Sequence, residues 1–417
     1  MPLVSGKRRS AVTAGLHFLF LQGLPSPFFS RVARGLAALG CRTTAINLCV
    51  GDWLFWRGPR AVNYRGRISD WPDYIADFLD GNAVTDIVLV GEQRDYHRHA
   101  IAAAHARGVR VIVTDFGYLR PDWITLERDG MTGNSKFPKD PETIRKLAAA
   151  APRADLSVIY ADSFWNMAAG DMLYHLGNYF LWWLFPHYRR PYPRPPPLLH
   201  YPSIGVRLLL AGARRRRAVQ RLAELRAANV CYFVFPLQLE NDFQIVSYSP
   251  FNSLEEAIRL VLESFAKNAD AGTHLLIKVH PWDPGLRNWK KIIARRAGEL
   301  GIGGRVDYFD GGDLDDIIGG SAGMITVNST SGIRALRLGR PVMVLGDAIY
   351  DVEGLTCRGT LDGYWKEAHP PQPSLVDAFI DAIAATIQIR GVFYNEPGLS
   401  AAVDEAVARL YGTKVVL

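Results

Sequence analysis

The stretch Asn229–Ser249, NVCYFVFPLQLENDFQIVSYS, limits the fold more than any other part of the chain. Val230–Phe235 is apolar and β-prone without a break, which suits a parallel strand covered on both faces. Such a strand needs a crossover connection to reach its parallel neighbour, so it implies alternating strands and helices. Pro236 ends the run. Gln238, Glu240, Asn241 and Asp242 then crowd a short loop past the strand end, the edge at which open α/β sheets bind ligands. The spacing Gln238-x-x-x-Asp242 sets an amide and a carboxylate on one side of a turn. By itself the loop reads rather as a solvated one, with Asp242 as a cap or turn residue.

The same alternation runs along the rest of the chain. Leu16–Leu21 reads as a strand, Phe28–Leu39 as a helix stopped by Gly40, and Thr43–Leu48 as a second strand, a βαβ start. The first loop lacks Gly-x-Gly-x-x-Gly, and no Walker lysine motif occurs. Further strands are expected at Asp86–Val90, Val109–Val113, His274–Val279, Val306–Phe309, Met324–Val327 and Pro341–Leu345. Expected helices are Trp71–Leu79, His97–Ala106, one opened by the capping box Ser253-x-x-Glu256, Asp313–Ile318, Leu375–Ile387 with Ser374 as N-cap, and Ala401–Leu410.

A length of 417 residues is too much for one ordinary core, so two domains are expected. The pattern divides as 1–155, a Rossmann-like domain; 156–228, a helical connection; 229–390, a second Rossmann-like domain; and 391–417, a closing helix. The connection is dense in aromatics (Trp165, Tyr174, Phe180, Trp182, Trp183) and in arginines (Arg189, Arg190, Arg214–Arg217). That mixture suits an anionic membrane surface, or else an interdomain core; RNA-binding modules are absent, so no nucleic-acid partner is expected. The formal charge of +7 fits an anionic partner without naming it.

Lys7-Arg8-Arg9 before an apolar run resembles a secretory start, but His17 breaks the run and no small-x-small site follows, so a first strand is the better reading. No run long enough to span a membrane is present. Cys41, Cys49, Cys231 and Cys357 have no metal-type spacing and read as reduced core residues, Cys231 within its buried strand, in a cytosolic protein.

Other strand ends carry chemistry. Asp115 follows Val109–Val113, with Arg120 and Glu127 close behind; a Gly-containing turn with a surface ion pair is the plain alternative. His280-Pro281 follows a strand directly, and an imidazole there can donate to phosphate. Asn328-Ser329-Thr330-Ser331 sits between a strand and a helix, where hydroxyls, backbone N–H groups and the helix dipole suit an anion. Together these point to a nucleotide phosphate held without a Gly-rich loop. No Asp-x-Asp pair argues for a metal, and no cofactor is expected.

GYLRPDWITLE (Gly117–Glu127), Gln238-x-x-x-Asp242, His280-Pro281 and NSTSGIRALRLGRPV (Asn328–Val342) resemble the bacterial capsule polysaccharide synthesis family of β-Kdo glycosyltransferases, in particular its single-module branch that starts the lipid-linked Kdo chain. The resemblance implies an α/β, GT-B-like fold of two Rossmann-like, doubly wound domains facing a cleft. It implies CMP-Kdo as donor, retaining transfer, Asp242 as nucleophile, and His280 with Ser329–Ser331 on the CMP phosphate. Where the family places an acidic residue before Gly-Tyr-Leu-Arg-Pro, this chain has Phe116 next to the glycine and Asp115 before it. Asp115 and Glu127 therefore both remain candidates for the acid/base. Gln238 would orient the nucleophile or touch the sugar, and Lys278, Arg120 or Arg334 would neutralise the sugar carboxylate. The expected acceptor is a lipid or lipid-linked Kdo, such as phosphatidylglycerol. The expected setting is peripheral on the inner face of the bacterial cytoplasmic membrane, with capsule assembly proteins as further partners. Another CMP-activated acid sugar, such as sialic acid, and a non-catalytic export component are the alternatives.

Overall fold

The computed structural model describes residues 15–190, 194–239 and 243–412. Its strands are β1 (His17–Leu21), β2 (Arg42–Asn47), β3 (Ala61–Asn63), β4 (Asp86–Val90), β5 (Arg110–Phe116), β6 (Trp123–Arg128), β7 (Tyr232–Pro236), β8 (His274–Lys278), β9 (Val306–Phe309), β10 (Gly323–Thr326), β11 (Val342–Val344) and β12 (Gln388–Arg390). They form two sheets in two compact units. One unit takes the described residues up to Phe137, those from Arg153 to 190, and those from Ile383 on. The other takes Pro138–Pro152 and the described residues of Arg194–Ala382.

In the first unit the strand order is β12-β6-β5-β4-β1-β2-β3. The run β3-β2-β1-β4-β5 is parallel, and β6 turns back antiparallel on β5. β1 is buried along its whole length, as the apolar run Phe18–Leu21 requires. His17, which breaks the apolar run in sequence, is a satisfied core histidine: Nδ1 lies 2.9 Å from the Asn82 carbonyl and Nε2 2.9 Å from Thr44 Oγ1. Phe18, Phe20, Phe28, Phe29 and Leu36 share one core with Leu399, Ala402 and Leu410 of the last helix, Gly398–Tyr411. Each Phe or Leu among them contributes roughly 1.5–3 kcal/mol. The C-terminal helix and β12 are thus part of the first unit, not a separate closure.

The second unit has a parallel sheet of order β11-β10-β7-β8-β9. β7 shows why its sequence is apolar throughout. Phe233 and Phe235 enter one core with Phe265, Trp289 and Trp365, whereas Tyr232 and Val234 face another with Ala218, Leu222 and Leu225 of the helix Ala211–Ala227. The two doubly wound α/β sheets expected from the alternation are present.

Several details differ from the sequence reading. The connecting segment is not one module: the helix Phe164–Phe180 packs in the first unit, and the helices Pro197–Leu209 and Ala211–Ala227 belong to the second. Cys231 is exposed, because β7 begins one residue later. Ser374 lies inside its helix, Pro373–Thr386, and is not its cap. Ser253 does cap its helix, with Glu256 N–H donating to Ser253 Oγ at 3.3 Å, but the Glu256 carboxylate reaches back to the Asn252 amide. Strands β3, β6 and β12 were not expected. Among the described residues no helix is long and apolar enough to cross a membrane.

Candidate active site

The second sheet fixes where its ligand edge must be. The chain leaves β7 to build β8 and β9 on one flank, then returns to build β10 and β11 on the other. The direction of winding reverses between β7 and β10, and in open α/β sheets ligands bind outside the carboxyl ends of the strands at such a point. Gln238 follows β7 there and Asn328 follows β10. Both are buried, and they are bonded to each other: Gln238 Nε2 donates to Asn328 Oδ1 at 3.0 Å, and the Asn328 amide N–H approaches Gln238 Oε1 at 3.4 Å. Asn328 Nδ2 donates to the Tyr248 carbonyl at 3.2 Å. The loop that begins at Gln238 is thereby held at both ends against the loop after β10. Asp242, the expected nucleophile, falls within that loop and lies outside the described residues.

On the other side of β7, Lys278 ends β8 and Leu237 N–H donates to its carbonyl at 2.8 Å. The Lys278 ammonium is buried, which lowers its pKa, against the opposing pull of Asp310 and Asp313. His280 is half-buried, and its Nδ1 accepts from the Trp282 amide at 3.1 Å. That bond puts the proton of a neutral ring on Nε2, so the imidazole can donate to an anion without being charged. Pro281 is exposed beside it. Arg334 is committed elsewhere, its Nε donating to Asp315 Oδ1 at 2.6 Å.

The loop Asn328–Ser331 differs in one respect from the expected amide cradle. Ser331 N–H donates to Ser329 Oγ at 3.2 Å, Gly332 N–H to the Ser329 carbonyl at 3.0 Å, and Ile333 N–H to the Thr330 carbonyl at 3.1 Å. The first amides of the helix Ser331–Arg337 are used within the turn, because a tight turn brings its own carbonyls and hydroxyl into reach. Hydroxyls, not amides, are the donors this turn has left. Ser331 Oγ is buried with no hydrogen-bond partner among the described residues, and Thr330 is half-exposed. Beneath the turn, Tyr350 OH donates to the Ser329 carbonyl at 2.5 Å. A Cβ on Gly332 would lie 2.3 Å from that hydroxyl, so only glycine lets the two pack. Tyr350 had no signal in the sequence beyond being aromatic.

In the first unit the two acid/base candidates have different surroundings. Asp115, near the end of β5, is half-buried and accepts from the Phe116 amide at 2.7 Å. Burial raises its pKa, and the Phe116 amide, Arg94 and Arg120 partly offset this. Arg120 is exposed and stacks over the Phe116 ring at 4.8 Å. Glu127 is fully buried within β6. It accepts from Tyr118 OH at 2.7 Å and from the Ser135 hydroxyl. Burial pushes its pKa up to about 8, and neighbouring Glu92 adds to the rise. Tyr118 OH in turn accepts from Thr132 N–H at 2.8 Å. The Tyr118 amide donates to Gln388 Oε1 of β12 at 2.8 Å, a partner 270 residues away that no local pattern signals. Much of GYLRPDWITLE is therefore a structural clasp. Gly117 belongs to it: its Cβ would lie 2.3 Å from the Trp123 carbonyl oxygen.

A profile of the family described as capsule polysaccharide biosynthesis protein matches residues 85–394. The chain is 29% identical over 403 residues to the Capsule polysaccharide export protein KpsS of Escherichia coli, covering 94% of this chain and 100% of that one. It is 30% identical over 399 residues to the Capsule polysaccharide modification protein LipB of Neisseria meningitidis serogroup A, covering 91% and 92%. Among solved structures, the Thermosulfurimonas dismutans KpsC beta Kdo 2,7 transferase aligns with a TM-score of 0.45 and 15% identity, over 94% of this chain and 98% of that one.

Proposed function

The chain belongs to the capsule polysaccharide biosynthesis protein family, and from that premise we propose that it is a retaining β-Kdo glycosyltransferase that moves Kdo from CMP-Kdo to a lipid acceptor of the phosphatidylglycerol type. The observation that carries the reading is the bonded pair Gln238 and Asn328 at the point where the second sheet reverses its winding, with His280, Ser329 and Ser331 on the flanking strand-end loops. It is a polar, anion-suited edge in the place where α/β sheets take nucleotides.

Retention requires two displacements at one carbon. In the first, an Asp242 carboxylate oxygen bonds to the anomeric carbon as the bond from that carbon to the phosphate oxygen breaks, and CMP leaves with the electron pair. His280 Nε2–H and the Ser329, Thr330 and Ser331 hydroxyls stabilise the departing phosphate, so the step calls on no metal. In the second, the acceptor hydroxyl attacks the same carbon, its proton passes to a carboxylate, and Asp242 departs. Asp115 takes that proton in our reading, since it is half-buried and its raised pKa suits proton exchange. Glu127 instead acts as a buried clasp. Gln238 orients the nucleophile's loop, and Lys278, buried at the end of β8, answers the donor's own carboxylate.

The acceptor reading extends to the membrane. Trp182 and Trp183 are 61% and 57% exposed, and Arg215, Arg216 and Arg217 are exposed on their helix. These suit an anionic interface. Arg214 is less exposed than those three arginines and pairs with Asp310 at 3.1 Å.

Donor turnover with a panel of CMP-Kdo, CMP-sialic acid and a neutral nucleotide sugar tests the donor. Turnover of CMP-Kdo alone supports the reading, and preference for CMP-sialic acid replaces it with the related transferase. The name of the Escherichia coli relative, an export protein, favours a second reading in which the chain is a non-catalytic assembly component. That reading requires no CMP-sugar turnover and an Asp242→Asn protein that still supports capsule assembly.

A further inference from the structure

The helix Phe164–Phe180 packs in the first unit with its amphipathic order reversed. The side against the protein is small and polar. A Cβ on Gly170 would lie 2.4 Å from the Pro25 carbonyl oxygen, and one on Gly177 would lie 2.8 Å from Leu54 Cδ1. Tyr174 reaches inward to donate to Asp52 Oδ1 at 2.9 Å, and Asn178 Oδ1 accepts from the Gly51 amide at 2.9 Å. Positions 170, 174, 177 and 178 have the i, i+4, i+7, i+8 spacing of one helix face. A surface helix ordinarily turns its large apolar residues to the core and its polar ones to water. Here the large apolar residues are on the water side. Trp165, Met172, Leu173, Tyr179 and Phe180 are all exposed, Trp165 at 73% and Leu173 and Phe180 at 53% each. Trp165, Met172 and Tyr179 recur every seven residues with Leu173 and Phe180 beside them, so they make one stripe along the helix.

The surroundings of the stripe say what covers it. Between 164 and 186 the chain has no Lys or Arg and one acid, Asp171, which is half-buried and 3.4 Å from His175. A partner helix fixes its register through charged or polar positions beside an apolar seam, and a protein interface carries a polar rim. This stripe is bordered by further apolar surface. Exposed Trp182 and Trp183 follow it in the turn Trp182–Leu184, and Trp53, 45% exposed, stands on the helix Val50–Phe55 that packs beside it. Exposed cations stand around these aromatics. Arg65 lies over the Phe185 ring at 6.0 Å, Arg57 donates to the Trp56 carbonyl at 3.1 Å, and Arg189 and Arg190 come just after the turn, Arg189 also answering Asp95 at 3.7 Å. An uncharged apolar face with tryptophans at its ends and arginines at its edge matches the acyl boundary of a bilayer with anionic headgroups.

We propose that this helix lies flat on the membrane as an in-plane anchor, its outer stripe sunk between the headgroups and acyl chains of an anionic bilayer. Such an anchor deepens the membrane reading and rests on it, and it needs neither a CMP-sugar nor transfer. Apolar burial holds the chain on the surface and the arginines add attraction, so binding survives salt that removes a purely electrostatic contact.

The full chain is tested with vesicles of phosphatidylcholine, with and without phosphatidylglycerol. A polarity-sensitive NBD dye is placed on Leu173→Cys in a Cys231→Ser background, since Cys231 is the exposed native thiol. Nitroxide lipids labelled on the headgroup or high on the acyl chain quench the dye according to its depth. Stronger quenching from the acyl position, with binding to anionic vesicles that persists at high salt, supports the anchor. Leu173→Glu and Phe180→Glu change side chains that are already exposed, so both should keep the wild-type melting temperature. Each should bind vesicles at least about tenfold more weakly. A dye that keeps its water-like emission on bound protein, quenching from the headgroup alone, or wild-type binding by both Glu variants overturns the anchor. If the protein then still floats with anionic vesicles and is released by salt, docking by charge remains. If it floats with no vesicle, the membrane reading falls as well. A lipid-free dimer in analytical ultracentrifugation that Leu173→Glu dissociates gives the stripe to a second copy of the chain and likewise overturns the anchor.

Discussion

Replacing Glu127 with glutamine separates a structural carboxyl from a catalytic one. In the folded chain this acid is fully buried against Tyr118 and Ser135, and its pKa is pushed up to about 8 from an ordinary 4.5. The folded protein thus prefers the protonated form. Below the ordinary value both folded and unfolded chains are protonated, and the group gives no pH dependence. As pH rises towards the folded value, the unfolded chain loses its proton while the folded chain keeps it, so stability falls. At about 1.4 kcal/mol per pH unit, the full penalty has a ceiling on the order of 5 kcal/mol. Glu127→Gln is neutral at every pH and keeps an oxygen for the Tyr118 hydroxyl. Urea denaturation at about pH 5 and about pH 8.5 should show wild type losing several kcal/mol that the variant does not lose. Transfer activity of the variant should stay within a fewfold of wild type, whereas Asp115→Asn should abolish it. Equal pH slopes in wild type and Glu127→Gln would refute the buried-acid argument. Abolished transfer in a stably folded Glu127→Gln would make this carboxyl the base.

Gly332→Ala puts a methyl 2.3 Å from the Tyr350 hydroxyl, so it should cost about 1–3 kcal/mol in denaturation and weaken donor binding in calorimetry; Tyr350→Phe, which frees the Ser329 carbonyl, should weaken donor binding with less loss of stability. Gln238→Ala leaves the Asn328 side-chain oxygen without its 3.0 Å partner and should cost about 1–3 kcal/mol, read as a lower urea midpoint. Trp182→Ala with Trp183→Ala should reduce flotation with vesicles containing anionic lipid while leaving the melting temperature unchanged; flotation that ignores both the substitutions and salt would end the membrane proposal. Arg214→Ala should behave oppositely, lowering stability through loss of its Asp310 pair and leaving flotation unchanged.

The alternation of buried strands and helices was legible because parallel strands write themselves as apolar runs: Phe18–Leu21, Ile87–Val90 and Tyr232–Pro236 are all buried end to end. β3, β6 and β12 escaped because each depends on a neighbour more than on its own residues. β12, only Gln388–Arg390, exists through its pairing with β6 far earlier in the chain. The strand-end polar residues were found by position, and Gln238 and Asn328 do meet. What holds them could not be read, since Tyr248 and Tyr350 reach the loops only through tertiary packing. Asp115 and Glu127 look alike in sequence, yet antiparallel pairing sets Glu127 opposite Val113 and Asp115 opposite Thr125. Position along the strand, not residue type, leaves one half-exposed and buries the other.

Intact-protein mass spectrometry after incubation with CMP-Kdo, with no acceptor present, tests the covalent displacement most directly. A mass gain of one Kdo residue that maps to the peptide holding Asp242, and that is absent in Asp242→Asn, is the predicted result. No adduct in the wild-type protein, together with Asp242→Asn transferring Kdo at the wild-type rate, would contradict it.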